Sequence, residues 1–90
     1  NVPEISDENT PYDKLIAKDL QLLIDMVVNE MPPKRKMIYK FSRIKGLSNE
    51  QIAEKLVIQK KTVENHLNIA LNELRDALAL SILVYLILPV

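Results

Sequence analysis

Residues 47–67 constrain the fold more than any other segment, because they combine two short helical patterns with a break between them. Ser48 and Gln51 have the spacing of a capping box, which predicts a helix N-terminus. A second stripe of apolar residues, at spacings of three and four, spans residues 63–74. Ala53 is small enough to let the second helix cross close to the first. The segment therefore predicts a helix-turn-helix.

The second helix of this pair has a polar side opposite its apolar stripe. A polar helical face of this kind fits the major groove of duplex DNA. The residues that we expect on this side are Lys60, Lys61, Thr62, Glu64, Asn65 and Asn68.

The formal charge of the 90-residue chain is zero, but the charges are unevenly distributed. Residues 1–30 hold seven acids and two lysines, whereas residues 31–75 hold ten bases and four acids. Salt screens the interaction between exposed charges beyond about 8 to 10 Å at physiological ionic strength. The net charge of each segment therefore matters more for phosphate binding than the net charge of the whole chain. The base-rich part contains the helix pair, which favours phosphate binding. A merely solvated basic face is the alternative that charge alone leaves open.

The remaining pattern predicts helices and no sheet. Apolar residues recur with helical spacing over residues 13–29, and Pro32 and Pro33 end that helix. A second helix is expected over residues 33–45, stopped by Gly46. Its expected buried side chains are Met37, Ile38, Phe41 and Ile44, and its expected exposed ones are Lys34, Arg35, Lys36, Lys40 and Arg43.

The predicted architecture is an all-α, four-helix domain over residues 13–76. Residues 1–12 are polar and proline-containing, and we interpret them as a linker remnant of a longer protein. Residues 77–90 form an apolar C-terminal tail that is interrupted only by Ser81 and extends the last helix.

This tail is shorter than the roughly 20 residues that span a bilayer, so we expect no membrane span. A small domain cannot cover so many apolar side chains, which favours association. We expect the tail to bind a second copy, through Leu78, Ile82 and Leu86, or another part of the parent protein. Folding back onto the first helix is the alternative.

Catalysis and metal binding have little support in the composition. The chain has no cysteine, and His66 is its single histidine, without a nucleophile at a useful spacing. One glycine excludes a phosphate-binding loop of the glycine-rich kind. We expect no enzyme activity, no cofactor and no metal site, and a reducing, cytoplasmic setting.

Four segments together resemble region 4 of bacterial RNA polymerase sigma factors of the extracytoplasmic-function type. They are Met-Pro-Pro-Lys-Arg-Lys-Met-Ile-Tyr (31–39), Gly-Leu-Ser-Asn-Glu-Gln-Ile-Ala-Glu-Lys-Leu (46–56), Lys-Thr-Val-Glu-Asn-His-Leu (61–67) and Ala-Leu-Asn-Glu-Leu-Arg (70–75). The resemblance implies a binding module that recognises the minus-35 promoter element and docks on the flap of the polymerase β subunit.

The resemblance also implies roles for individual residues. The recognition helix corresponds to residues 60–74, with DNA contacts from the polar residues given above and His66 nearer the DNA backbone. Lys34, Arg35 and Lys45 are expected to bind phosphates, because clustered cations release counterions when they meet DNA.

Two residues depart from the family pattern. Val57 stands where many relatives have glycine, and Gln59 stands where serine or threonine commonly caps the recognition helix. A β-branched residue is strained if the corner requires positive φ. These two departures leave open which residues contact which DNA groups. They do not remove the polar DNA-binding face of the second helix.

Two other functions remain open on the sequence. Gly-Leu-Ser-Asn and Thr-Val-Glu-Asn-His-Leu are also typical of the DNA-binding output domains of LuxR-type response regulators. The second alternative is a protein-interaction module. In that function the acidic first helix and the apolar tail bind an inhibitor such as an anti-sigma factor.

Overall fold

The computed structural model describes residues 11–87, which form four helices in chain order. These are α1 (Pro11–Asn29), α2 (Pro33–Arg43), α3 (Asn49–Leu56) and α4 (Lys60–Ile87), and the described part contains no strand. The all-α prediction is confirmed. Helix α1 starts two residues before the expected position, and the rest of the predicted linker, residues 1–10, lies outside the described part.

Local signals explain where α1 and α2 end. Pro32 precedes α2 and Pro33 occupies its first turn, where a missing amide costs nothing. Gly46 has a φ of 73°, and the chain around it bonds back to α2 through Lys45 N–H to Lys40 O and Leu47 N–H to Phe41 O. Glycine adopts this left-handed backbone without steric cost, which explains why α2 stops before it.

The main core lies where α2, α3 and the start of α4 meet. Ile38, Ile52 and Val63 are fully buried there, and Ala53 and Leu67 complete the cluster. The small side chain of Ala53 thus lies in the crossing between α3 and α4, as expected. This cluster fixes the angle between the two helices of the helix-turn-helix.

A second core cluster joins α1 to the middle of α4. Val28 and Met31 pack against Ala70 and Leu74, with Ile24, Val27 and Tyr39 at the edge. Helix α4 continues to Ile87 without a break, close to the expected end at Leu86. Because 28 residues of α-helix span about 42 Å, the last turns of α4 extend well beyond this cluster.

Part of the burial prediction for α2 is wrong. Met37 is 45% exposed and Ile44 is 69% exposed, although both were expected in the core. Met37 lies about 100° around the helix from the buried Ile38, and Ile44 follows the last helical residue. Arg35 and Lys36, which were expected to be exposed, are half-buried.

Candidate nucleic-acid interface

Helix α3 begins with the predicted capping box. The Gln51 amide donates to Ser48 Oγ at 3.1 Å, and the Ser48 amide donates to Gln51 Oε1 at 2.8 Å. These two bonds satisfy amides that the first turn of a helix otherwise leaves without a partner. The start of the helix-turn-helix is therefore set by local sequence.

The corner between α3 and α4 is made by Val57 in the left-handed region. Its φ is 55° and its ψ is 51°, and its amide bonds back to the carbonyls of Ala53 and Glu54. Left-handed backbone is costly for a β-branched residue, by about 1–3 kcal/mol. The Val57 side chain is 88% exposed and gains little from packing. The corner does require positive φ, so the condition under which strain was expected at Val57 is met.

Helix α4 begins directly after this corner. The Gln59 carbonyl accepts from the amides of Thr62 and Val63 at 3.0 and 3.2 Å. Its first turn contains no acidic residue. The positive end of the helix dipole and the exposed Lys61 therefore both favour the approach of an anion.

The exposed side of α4 presents one polar stripe. Lys61, Asn65 and Asn68 are exposed and lie four and three residues apart, so they project from one face, opposite the buried Val63 and Ala70. We call these three residues the polar stripe. Thr62, Glu64 and His66, which were also predicted to contact DNA, are half-buried; Thr62 and Glu64 flank the stripe, and His66 lies nearer the buried side of α4.

Asn72 extends the polar stripe by one more turn, and the sequence predictions missed it. It is exposed, and its Oδ1 accepts from Arg75 Nη1 at 3.1 Å. The repeat 61, 65, 68, 72 is the signal that identifies it. An amide held by a neighbouring guanidinium is oriented before any ligand binds.

Lys60 is held between two carboxylates at the start of α4. Its Nζ lies 3.0 Å from Glu50 Oε2 and 4.0 Å from Glu64 Oε2. The hydrogen bond from Lys60, with its positive charge, lowers the pKa of Glu50, and the same bond raises the pKa of Lys60. This pair connects α3 to α4 beside the polar stripe.

The predicted phosphate-binding residues lie at the two ends of α2. Lys34 is exposed in the first turn, and Lys45 is exposed just after the last one. Arg35 is different: its side chain is 16% exposed, and Nη1 lies 3.4 Å from both carboxylate oxygens of Glu73 on α4. Its Nε is buried and has no hydrogen-bond partner within residues 11–87.

His66 lies at the half-buried edge of α4. Its Nδ1 is buried and has no hydrogen-bond partner among the described residues. Residues 11–87 contain no group of three or more His, Cys, Asp and Glu side chains that could hold a metal ion. No helix within the described part is both long and apolar enough to cross a bilayer.

The sequence matches a known protein family. The family model described as sigma-70, region 4, covers residues 21–74, more than half of the chain. The match includes α2, α3, about half of α1 and the half of α4 that carries the polar stripe. Comparison with individually curated proteins gives no match. The chain therefore belongs to the sigma-70 region 4 family, whose members bind promoter DNA and RNA polymerase in transcription initiation.

Proposed function

We propose that this domain recognises the minus-35 element of a promoter as region 4 of a sigma factor of the extracytoplasmic-function type. The polar stripe supports this proposal most strongly, because the burial of Val63 and Ala70 holds it on the exposed face of α4. In this role α4 enters the major groove with its N-terminal half, in the cytoplasm where polymerase acts. The family match does not favour the response-regulator alternative.

Each polar residue has a role in this proposal. Asn65 and Asn68 suit adenine, which offers one donor and one acceptor in the major groove, and Glu64 suits the amino group of cytosine. Lys60, Lys61 and Thr62 lie near the helix start, where phosphates approach. Because Glu50 and Glu64 engage Lys60, Lys61 is expected to make the larger contribution to affinity.

Phosphate contacts from α2 complete the proposed DNA interface. Lys34 and Lys45 are exposed cations at either end of this helix. Arg35 would reach a phosphate through the N–H groups that Glu73 does not occupy. The buried Nδ1 of His66 leaves Nε2 as the ring nitrogen for a backbone contact.

A different surface is available for the β flap of polymerase. A cleft of about 370 Å³ lies between α1 and α2, with Ile24, Val28, Tyr39 and Ile44 among its lining residues. Both helices pack on the buried side of α4, so the cleft does not use the polar stripe. The exposed Ile44 gives the cleft an apolar rim, which suits a docking protein segment. An anti-sigma factor that binds the acidic α1 and the tail, and a second copy that binds the tail, are further proposed partners.

Fluorescence titration of a duplex, first selected from a random library by the domain itself, tests the proposal. We expect Asn65→Ala to weaken binding by about 1–3 kcal/mol on the selected duplex and far less on scrambled DNA. Lys61→Ala should weaken binding to both duplexes and reduce the salt slope by about one.

The matched controls are Asn29→Ala and Lys18→Ala, which remove the same side chains from exposed positions on α1. Equal loss of affinity in the stripe variants and the controls would contradict the proposed interface. So would an absence of salt-dependent binding by the unaltered domain.

A further inference from the structure

An apolar groove lies between residues 19–26 of α1 and residues 77–84 near the end of α4. Its volume is about 550 Å³, and its apolar lining consists of Leu22, Leu23, Met26, Ala77, Leu80 and Val84. Asp19 and Ser81 are the two polar residues that line it. We call α1 together with residues 77–87 of α4 the two-helix arm, and this groove the arm groove.

The apolar surface extends beyond the arm groove along both helices. On α4, residues 80, 83, 84 and 87 follow the i, i+3, i+4, i+7 pattern of a single face, and all four side chains are more than half exposed. On α1, the spacing of Leu15, Leu22 and Met26 places them on one stripe, and they are also more than half exposed. Two unpartnered apolar stripes thus lie side by side in the described part of the chain.

From this juxtaposition we propose that the arm groove is the pairing surface for a second copy of this chain. Two helices bury only the stripes that face each other, whereas four helices enclose a shared core. Two copies related by a twofold axis would place α1 and α4 of each against α1 and α4 of the other. This pairing surface uses α1 and a different side of α4 from the contact through Leu78, Ile82 and Leu86 that the sequence predicted.

The available area fits a stable dimer. The seven exposed side chains of the two stripes each offer on the order of 100 Å², so one copy offers roughly 700 Å² of apolar surface. A typical stable interface buries about 800 Å² on each partner. The interface of a twofold homodimer uses the same surface on both copies, so that surface must complement itself. The arm groove meets this requirement, because the apolar stripes of one copy would pack against the apolar stripes of the other.

A membrane surface fits this face less well than a second copy. Helices that lie in a membrane interface carry lysine and arginine beside their apolar face. Residues 77–90 contain no basic residue, and on α1 Lys14 and Lys18 are outnumbered by Asp13, Asp19 and Asp25. This face therefore lacks the net positive charge that attracts a helix to anionic lipid headgroups.

Pairing is independent of DNA binding. Leu80 follows Asn72, the last residue that extends the polar stripe, by eight residues, about 12 Å along α4, so the two surfaces do not overlap. A failure of pairing would leave promoter recognition untouched, and the reverse also holds.

Sedimentation equilibrium of the 90-residue chain across a wide concentration range tests the proposal. The unaltered chain should change reversibly from its monomer mass of 10.3 kDa to twice that value. Leu80→Glu should weaken association at least a hundredfold, because pairing would bury a charge. Ile82→Glu is the matched control, since Ile82 lies about 160° around α4 and is similarly exposed.

Cross-linking gives a second readout that does not depend on folding of a charged variant. The chain has no cysteine, so Val84→Cys and Ala79→Cys each introduce a single thiol. A short bismaleimide should link two Val84→Cys chains at least tenfold more efficiently than two Ala79→Cys chains. A chain that stays monomeric at all concentrations would overturn the proposal, and so would equal effects of the Leu80 and Ile82 variants or open-ended aggregation.

Discussion

The helix-turn-helix and the two-helix arm differ in how completely they bury their apolar side chains. Ile38, Ile52 and Val63 are fully buried where three helices meet. In the arm, only α1 accompanies the last turns of α4 within the described residues, and Leu80 remains 64% exposed. Three helices can enclose a core, whereas two cannot. The first region is therefore complete as a single chain, and the second has the surface of an interface.

The largest expected contrast comes from making the same substitution in both regions. Ile52→Ala should destabilise the domain by about 2–5 kcal/mol, because it leaves a cavity in a closed core. Ile82→Ala should change the free energy of unfolding of the monomer by less than about 0.5 kcal/mol, because Ile82 is 56% exposed. Urea unfolding of the two variants at low concentration measures both. Similar losses would mean that the arm has a core of its own.

A smaller effect is expected at the two left-handed residues of the helix-turn-helix region. Val57→Gly should stabilise the domain by about 1 kcal/mol, because glycine removes the steric cost at a φ of 55°. Gly46→Ala is the opposite substitution at the other left-handed residue, and it should destabilise the domain by about 1 kcal/mol. A Cβ at Gly46 would meet no described atom within 4 Å, so its cost is a backbone effect alone.

Thermal unfolding of these two variants measures both effects. Val57→Ala separates loss of the branched side chain from relief of the backbone, and its stability should fall between that of the unaltered chain and that of the Val57→Gly variant. Destabilisation by Val57→Gly would show that the valine side chain contributes packing despite its exposure.

The smallest effect concerns the pH dependence of the Lys60–Glu50 pair. The pKa of Glu50 is lowered, so its contribution to stability is present above the ordinary value of 4.5 and is lost as pH falls through the lower folded value. The pKa of Lys60 is raised, so its contribution is present below the ordinary value of 10.5 and is lost as pH rises through the higher folded value.

The Lys60–Glu50 pair should therefore stabilise the junction of α3 and α4 at pH values between the folded pKa of Glu50 and that of Lys60. Added salt should weaken this stabilisation. Comparison of thermal midpoints of the unaltered chain and Glu50→Gln across pH measures the effect. The difference between them should vanish at acidic pH. A difference that persists below the folded pKa of Glu50 would assign another role to this side chain.

Local rules explain why the helix-turn-helix could be predicted more fully than the rest. The capping box of Ser48 and Gln51 joins residues three positions apart, and the helix stop at Gly46 depends on one residue's backbone freedom. The polar stripe follows from helical spacing alone, and the same spacing could have identified Asn72. Interactions between residues a few positions apart can be predicted from the sequence.

Other features depend on which elements meet. Arg35 was expected to be exposed and free to bind phosphate, but it contacts Glu73, which lies 38 residues later in the chain. Helical periodicity placed Met37 and Ile44 in the core, and the packing of α2 leaves both exposed. The predicted DNA contacts themselves remain predictions for the titrations described above.

The sequence by itself determined the helices, the corner between α3 and α4 and the side of α4 that carries polar residues. These features arise from backbone preferences, capping and periodicity, all of which act over a few residues. Only the tertiary structure decided that the arm groove forms between α1 and α4 and that its apolar stripes stay uncovered. Burial is a property of neighbours brought together from distant parts of the chain, so an apolar tail does not reveal which of its sides will be covered.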